Sequence, residues 1–297
     1  MQPLVSVRVV TYNHEKYITQ CLEGILMQKT DFPYEVIIGE DCSTDGTRQI
    51  VLSYEKRYPE KIKVLLPAQN LGALRNSLQI QQTCQGKYHA MCEGDDYWID
   101  PLKLQKQVNF MEAHPAVSLC YHNAFILDES LGVTRLFLET PVKEMLSFED
   151  ICQMTTPTAS ALARSEILAT LPEWRLNVWC GDVLFRLWCA QHGSVGYLSD
   201  IMSVYRIHAG SMTSNYRSAL EKHRSEKLNL YRQLDQDTYF QHTTAIQAQI
   251  KRVEEKYRRD TQGIFYYLMN PAKIFTRLQE YYHIVKQNRM IKEIGKS

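Results

Sequence analysis

The sequence predicts an α/β protein, a mostly parallel sheet with flanking helices, followed by an α-helical C-terminal extension. Three observations predict it. Short β-branched runs alternate with 3.6-period amphipathic stretches over residues 1–116, an order that puts helices on both faces of a parallel sheet. Strand signals return less regularly over 117–214. Beyond Ser214 they stop, and the sequence reads as charged helix.

The elements follow in order. Val5–Val10, bounded by Pro3 and Asn13, reads as a buried strand. Asn13 is placed to cap a helix in which Ile18, Cys21, Leu22, Ile25 and Leu26 recur at helical spacing. Pro33 precedes a second strand, Glu35–Gly39. The polar run Glu40–Gly46 then leads into a helix with Ile50, Val51, Tyr54 and Tyr58 on one face, stopping before Pro59. A third strand, Ile62–Leu66, is followed by a helix over Ala73–Thr83 and a fourth strand, Tyr88–Cys92. Asp100 as N-cap with Pro101 at the first helical position opens a helix through Met111. Further strands are expected at Val117–Leu127, Ala159–Arg164, Ser194–Leu198 and Met202–Ile207, with a helix around Asp182–Gln191.

With 297 residues, 44% hydrophobic and 23% charged, the chain has the balance of a soluble globular protein. Disorder and repeat architectures are excluded, and a net charge of +1 argues for no nucleic-acid partner. The charge is uneven. Residues 251–297 hold eleven Lys and Arg against five Asp and Glu, leaving 23 and 28 for residues 1–250. Eight scattered cysteines without a Cys-x-x-Cys pair fit buried, reduced thiols. Cys180, Cys189 and His192 lack the spacing of a structural zinc site. No signal peptide or bilayer-length apolar run is seen, so the expected location is cytoplasmic, soluble or peripheral on the inner face of the membrane.

In parallel sheets ligands bind beyond the carboxyl ends of the strands. Here Thr11-Tyr12-Asn13, Glu40-Asp41, Asn70 and Glu93-Gly94-Asp95-Asp96 follow the first four strands, so four polar loops meet at one edge. The acidic tetrad suits a hard divalent cation, Mg²⁺ or Mn²⁺, shared with phosphate oxygens. A helix-capping turn is its plainer explanation. In the second loop Ser43 or Thr44 serves as a helix cap and Asp45 favours the helix dipole. That leaves Asp41 without a structural task and able to accept from a base N–H or a ribose hydroxyl. Neither a Gly-x-Gly-x-x-Gly nor a Walker-type phosphate loop occurs.

Residues 5–13 (VSVRVVTYN), 39–47 (GEDCSTDGT), 70–76 (NLGALRN) and 93–98 (EGDDYW) together resemble the family 2 inverting glycosyltransferases of the GT-A fold, over roughly residues 4–210. The resemblance implies that Asp41 recognises the nucleotide base, with Val10, Thr11 and Tyr12 lining its pocket and Arg75 near the nucleotide. It implies that Asp95 lies nearer the ribose and Asp96 on the metal. Trp179-Cys180-Gly181-Asp182 resembles the family's Glu-Asp motif, with Gly181 in place of Glu and Asp182 as catalytic base; an N-cap is the plainer role for Asp182. The segment Tyr205–Ser211 resembles the one that returns a histidine, His208, to the metal and diphosphate. Trp174 and Trp179 flank the base as candidates to stack on an acceptor sugar, or as core residues.

The implied activity is a metal-dependent, hexosyltransferase-type transfer from a nucleotide-sugar, by default UDP-linked, to a glycan or lipid-linked acceptor in surface polysaccharide or glycoconjugate synthesis. Alternatives are a sugar nucleotidyltransferase and a non-catalytic nucleotide-binding scaffold. Domain limits are expected at 1–214 for the catalytic domain, with a nucleotide-sugar half at 1–116 and an acceptor half at 117–214, and at 215–297 for the basic helical extension. That extension is read either as amphipathic helices on an anionic membrane, through residues 251–297, or as helices packed on the domain or across a homodimer.

Overall fold

The computed structural model describes residues 2–140, 142–178, 180–211 and 220–262. Its elements are β1 (Val5–Thr11), α1 (Ile18–Leu26), β2 (Tyr34–Glu40), α2 (Thr47–Arg57), β3 (Ile62–Leu65), α3 (Ala73–Thr83), β4 (Tyr88–Met91), β5 (Tyr97–Trp98) and α4 (Lys103–Ala113) in the first half. Then follow β6 (Val117–Asp128), β7 (Val133–Leu136), β8 (Met145–Leu146), α5 (Phe148–Gln153), β9 (Leu162–Arg164), α6 (Ser165–Ala169), α7 (Gly181–His192), β10 (Ser194–Ile207), α8 (Leu220–Asp237) and α9 (Thr243–Gln262).

One sheet runs β3-β2-β1-β4-β9-β6-β10-β5. β1 pairs in parallel with β2 and β4, and β2 with β3, so the first four strands end on the same edge. β9 lies antiparallel to both β4 and β6, which restores β6 and its parallel partner β10 to the direction of β1. The sequence foresaw a mostly parallel sheet and the strand at Ala159–Arg164, but not that β9 runs antiparallel, and the short β5, β7 and β8 carry too few residues to leave a periodic signal. The two strands expected at 194–198 and 202–207 are one strand, β10, whose register against β6 shifts between Leu198 and Ser203. Such irregularities absorb extra residues without ending the strand.

Alternation along β1 divides two environments. Val5, Val7 and Val9 are fully buried in a core shared with Ile18, Leu22 and Ile25 of α1, Val51 of α2 and Leu104 of α4. A second core joins β6, β9 and β10 to α5 and α7, and takes in Leu230, Tyr231 and Leu234 of α8 with Ile246 of α9. The described part of the C-terminal extension is therefore packed on the second half of the sheet. Asn13 does not cap α1, whose N-cap is Tyr17 without a side-chain cap bond. It adopts a left-handed conformation (φ 56°) and its Oδ1 accepts from the Thr44 amide at 2.8 Å. The residue caps the neighbouring loop instead. Similarly, α4 begins at Lys103, and Asp100 Oδ1 accepts from Leu102 N in the turn before it.

All eight cysteines are free, six of them buried. Among the described residues no helix is long and apolar enough to cross a membrane.

Candidate active site

The loops after β1, β2, β3 and β4 form the edge on which the candidate residues gather. The loop after β2 is built from its own carboxylates. Fully buried Glu40 accepts from Ser43 N at 2.6 Å and pairs with Arg48 at 2.6 Å. Neither Ser43 nor Thr44 caps α2, whose N-cap is Gly46 without a side-chain cap bond; just before it, Asp45 Oδ1 accepts from the Thr47 amide (3.0 Å) and hydroxyl (2.6 Å). Four hydrogen bonds to Asp45 outweigh its desolvation and keep its pKa low. Ser43 Oγ accepts from Asn13 N instead.

Asp41 does have a structural task. It is 2% exposed, and its two carboxylate oxygens accept from the amides of Leu71 (2.7 Å) and Gly72 (2.8 Å), while Asn70 Nδ2 donates to its carbonyl. It thereby holds the loop that enters α3. Gly72 sits at φ +78°, a conformation glycine adopts without strain. Each oxygen of Asp41 keeps a second lone pair for a ligand. Around it, Thr11 is buried, Val10 half-buried, Tyr12 43% exposed, and Arg75 exposed on the first turn of α3.

The acidic tetrad separates neighbouring carboxylates. Asp96 N donates to Glu93 O, closing a turn that sends consecutive side chains in different directions. Asp96 points inward: it is 2% exposed and its Oδ1 accepts from the backbone amide of Arg206 on β10 at 2.8 Å. Burial, then the charges of Asp95 and Glu93, raise its carboxyl well above the usual carboxylate range. Asp95 faces outward and stands 3.2 Å from His208 Nε2 through Oδ2. The sequence placed Asp96 beside His208; the structure brings Asp95 there and uses Asp96 to join the loop to β10.

Two residues that sequence reasoning missed belong to this cluster. His14 Nε2 lies 3.9 Å from Asp95 Oδ2, with its Nδ1 at 3.3 Å from Thr11 Oγ1. Burial lowers the His14 pKa, with Asp95 opposing it. Arg206 braces the site from below: Nε donates to Asp95 O, one terminal nitrogen pairs with Glu129 at 2.7 Å and the other donates to Gln20 at 2.6 Å. Tyr17 completes the brace, its hydroxyl donating to Glu129 and its ring 4.5 Å from that of His208. The only sequence signal was position, His14 closely following the β1 end and Arg206 two before His208.

Asp182 is the second residue of α7, whose N-cap is Cys180 without a side-chain cap bond. It is therefore no cap. Its carboxylate is half exposed and lies 3.9 Å from buried Arg186 one turn on. A side chain at position 181 would meet Leu74 Cδ2 at 2.6 Å, so glycine there lets the start of α7 abut the start of α3. Glu93 links the two sides of the edge. Burial, then the charges of Asp95 and Asp182, raise its carboxyl to about 7, and its Oε2 is buried without a hydrogen-bond partner among the described residues. Asp95, Glu93 and Asp182 thus share one electrostatic neighbourhood. Trp174 packs partly buried against the second core, its indole N–H donating to Asp237 of α8 at 2.7 Å. Trp179 lies outside the described residues.

Comparison with known proteins accords with this arrangement. The pattern of glycosyl transferase family 2 matches residues 6–165. The chain belongs to that family. An uncharacterised protein of Mycobacterium bovis is 34% identical over 206 residues, 69% of this chain and 59% of that protein, so the chain spans under two thirds of that relative's length. The putative teichuronic acid biosynthesis glycosyltransferase TuaG of Bacillus subtilis is 41% identical over 110 residues, 37% of this chain and 42% of that one. Among solved structures, S. aureus TarS 1–349 in complex with UDP-GlcNAc superposes with a TM-score of 0.57 at 21% identity, covering 88% of this chain and 81% of TarS. The mannosyltransferase PcManGT from Pyrobaculum calidifontis, in complex with GDP-Man and Mn²⁺, gives 0.58 at 16% identity, covering 95% and 85%. This family 2 chain therefore has the GT-A fold of those glycosyltransferases, with α8 and α9 packed on its second half.

Proposed function

We propose that this glycosyltransferase moves a sugar, with inversion, from a nucleotide-sugar to a hydroxyl of a glycan or lipid-linked acceptor in surface polysaccharide or glycoconjugate synthesis. The observation that carries the reading is the family 2 match over residues 6–165, together with Asp95 and His208 standing 3.2 Å apart at the carboxyl edge of the sheet. In this reading Asp95 serves the cation-bound diphosphate and Asp182 the acceptor proton. UDP is the proposed nucleotide; TarS was solved with UDP-GlcNAc, and TuaG is named for teichuronic acid synthesis.

In this proposal residues 1–116 seat the donor. Asp41 accepts from the base or ribose beside Val10, Thr11 and Tyr12, and exposed Arg75 meets the nucleotide. Asp95 and His208 hold a divalent cation, Mn²⁺ or Mg²⁺. Their donor atoms, 3.2 Å apart, suit adjacent positions around an ion with ligands at about 2.1 Å. Among the described residues no group of three or more His, Cys, Asp or Glu side chains could hold a metal ion, so the diphosphate oxygens would have to supply the remaining ligands. When bound, the ion supplies Lewis-acid stabilisation of the charge gathering on the diphosphate. Asp96 fixes the loop from within and takes no ligand role.

Residues 117–214 present the acceptor. Asp182 takes the proton of the attacking hydroxyl as the oxocarbenium-like centre develops, and Arg186 orients that carboxylate from the next turn. With one base on the acceptor side and no protein nucleophile, one displacement inverts the anomeric centre. The exposed Lys251, Arg252, Lys256 and Arg258 of α9 support a peripheral seat on an anionic membrane face, where lipid-linked acceptors lie. Residues 263–297, the rest of that basic segment, lie outside the described residues.

The test is release of nucleoside diphosphate from a panel of UDP- and GDP-sugars with Mn²⁺ or Mg²⁺, with the freed or transferred sugar followed by NMR. One donor turned over to the inverted anomer supports the proposal. A retained configuration, or no donor bound at all, overturns it.

A further inference from the structure

We infer that the turn between α8 and α9 is the part of the molecule that enters a membrane surface, with Tyr239 and Phe240 inserting at the headgroup level of an anionic lipid face. The inference rests on the peripheral seat proposed above and deepens it from a charge attraction to a fixed point of insertion. Tyr239 is 85% exposed and Phe240 64%, and no large hydrophobic side chain among the described residues is more exposed than Tyr239. Both residues are left-handed, at φ 49° and 61°. A helix that ends in that conformation normally does so on glycine or asparagine, because a bulky side chain is crowded there.

The fold pins this turn on both sides. Tyr239 N donates to Gln236 O and Phe240 N to Asp235 O, both at 2.9 Å. Asp235 is itself buried; its carbonyl accepts from Thr238 Oγ1 and its Oδ1 accepts from Thr243 Oγ1 at 2.8 Å. Two residues after Phe240, the His242 ring stacks on Phe148 at 3.9 Å, and its Nδ1 lies 2.9 Å from Glu149. Leu234 before the turn and Ile246 after it are fully buried in the second core. A fixed, strained backbone therefore holds two aromatic rings out in solvent, where they bury little within the fold. At a bilayer interface the same rings place their apolar bodies out of water and leave the tyrosine hydroxyl wet.

Charge selects the partner. From the turn, exposed positions Thr244, Ala248, Lys251 and Arg252 recur at helical spacing along α9, on the side opposite buried Ile246 and Gln249. The exposed charges of α9 are the cations Lys251, Arg252, Lys256 and Arg258 against the single carboxylate Asp260. The hairpin thus presents an aromatic tip, a short neutral stretch and then a cationic flank. That order suits a tip set among lipid headgroups with the flank resting on anionic ones.

The experiment is flotation of the full chain with vesicles of equimolar phosphatidylglycerol and phosphatidylcholine, and with vesicles of phosphatidylcholine alone. Wild type should partition to the anionic vesicles about 10-fold or more strongly than to the neutral ones. Replacing both rings, Tyr239→Ser with Phe240→Ser, should weaken that partition about 10-fold or more. Glycine takes a left-handed backbone without strain, so Phe240→Gly should bind anionic vesicles less while melting no lower than wild type. Phe240→Trp should still bind, and its added emission should be quenched by brominated phosphatidylcholine. Partition that survives loss of both rings overturns the inference and leaves the cationic seat standing. Unquenched added emission from vesicle-bound Phe240→Trp overturns it even if the serine variant fails to fold, and so does equal partition of wild type to the two vesicle types. A wild type that binds no anionic vesicle overturns both the inference and the peripheral seat, while sugar transfer is judged separately by nucleoside diphosphate release.

Discussion

The proposed donor side and the proposed acceptor side of the site are built in opposite ways. On the donor side each carboxylate is held from several directions: Asp41 by two amides, Asp95 between two histidines, and Asp96 by the β10 backbone. On the acceptor side Asp182 is half exposed, with Arg186 at 3.9 Å. The difference teaches that rigidity is spent where the ligand is constant. A nucleoside diphosphate is the same in every turnover and rewards preorganised partners. In the proposed function the acceptor arrives from solvent, and a half-exposed Asp182 on the first turn of α7 would accommodate it.

The sharpest way to break this comparison is at the base. Asp182→Asn should lower turnover by roughly 10²–10⁴-fold, the usual range for a general base, with donor KM nearly unchanged. Nucleoside diphosphate release under saturating donor checks it. An equal loss of donor binding would erase the division between the sides. The next effect is smaller and falls on the donor side. Asp41→Asn keeps one acceptor oxygen, so one amide of the Leu71–Gly72 turn loses its partner, at a cost of about 1–3 kcal/mol. Donor KM should rise roughly 10-fold with kcat little changed, read from initial rates over a donor series.

The core beneath the donor loop supplies a pH-dependent test. Lys103 is fully buried, with Nζ 3.9 Å from the Trp98 ring and 2.7 Å from Gln107 Oε1, and burial lowers its pKa from 10.5 to about 7. The unfolded chain binds this proton more tightly, so the site's contribution to stability is present above pH 10.5 and lost as pH falls through about 7. Between pH 7 and 9 the wild-type melting temperature should therefore rise relative to that of Lys103→Met, since burial keeps the nearby Cys92 and Cys120 thiols protonated in the folded protein over this range. Parallel curves would contradict it. The smallest effect sharpens the acceptor side. Trp174→Phe removes the bond to Asp237 and should cost about 1 kcal/mol, a drop of about 2–4 °C in melting temperature, without changing acceptor KM.

What the sequence made legible follows the same division. The ends of β1, β2 and β4 fall at Thr11, Glu40 and Met91, each followed by a polar loop, so the donor edge could be located from strand periodicity alone. The split between Asp95 and Asp96 could not, because it depends on the Glu93–Asp96 turn and on an amide 110 residues away. The amide partners of Asp41 lie 30 and 31 residues downstream and leave no local pattern. Asn13 and Asp100 misled for a related reason, since a short polar side chain caps whichever loop tertiary packing brings near. On the acceptor side Asp182 was found by resemblance. Its surroundings arise from Gly181 meeting Leu74 and from α8 docking, which are contacts between distant segments.

The most direct test of the whole account is calorimetric titration of UDP, with and without Mn²⁺, into the wild type, Asp95→Asn and Asp182→Asn side by side. Wild type and Asp182→Asn should bind UDP with the same Mn²⁺-enhanced affinity, while Asp95→Asn loses the enhancement. Retained enhancement in Asp95→Asn, or its loss in Asp182→Asn, would contradict the assignment of cation and base to opposite sides of the cleft.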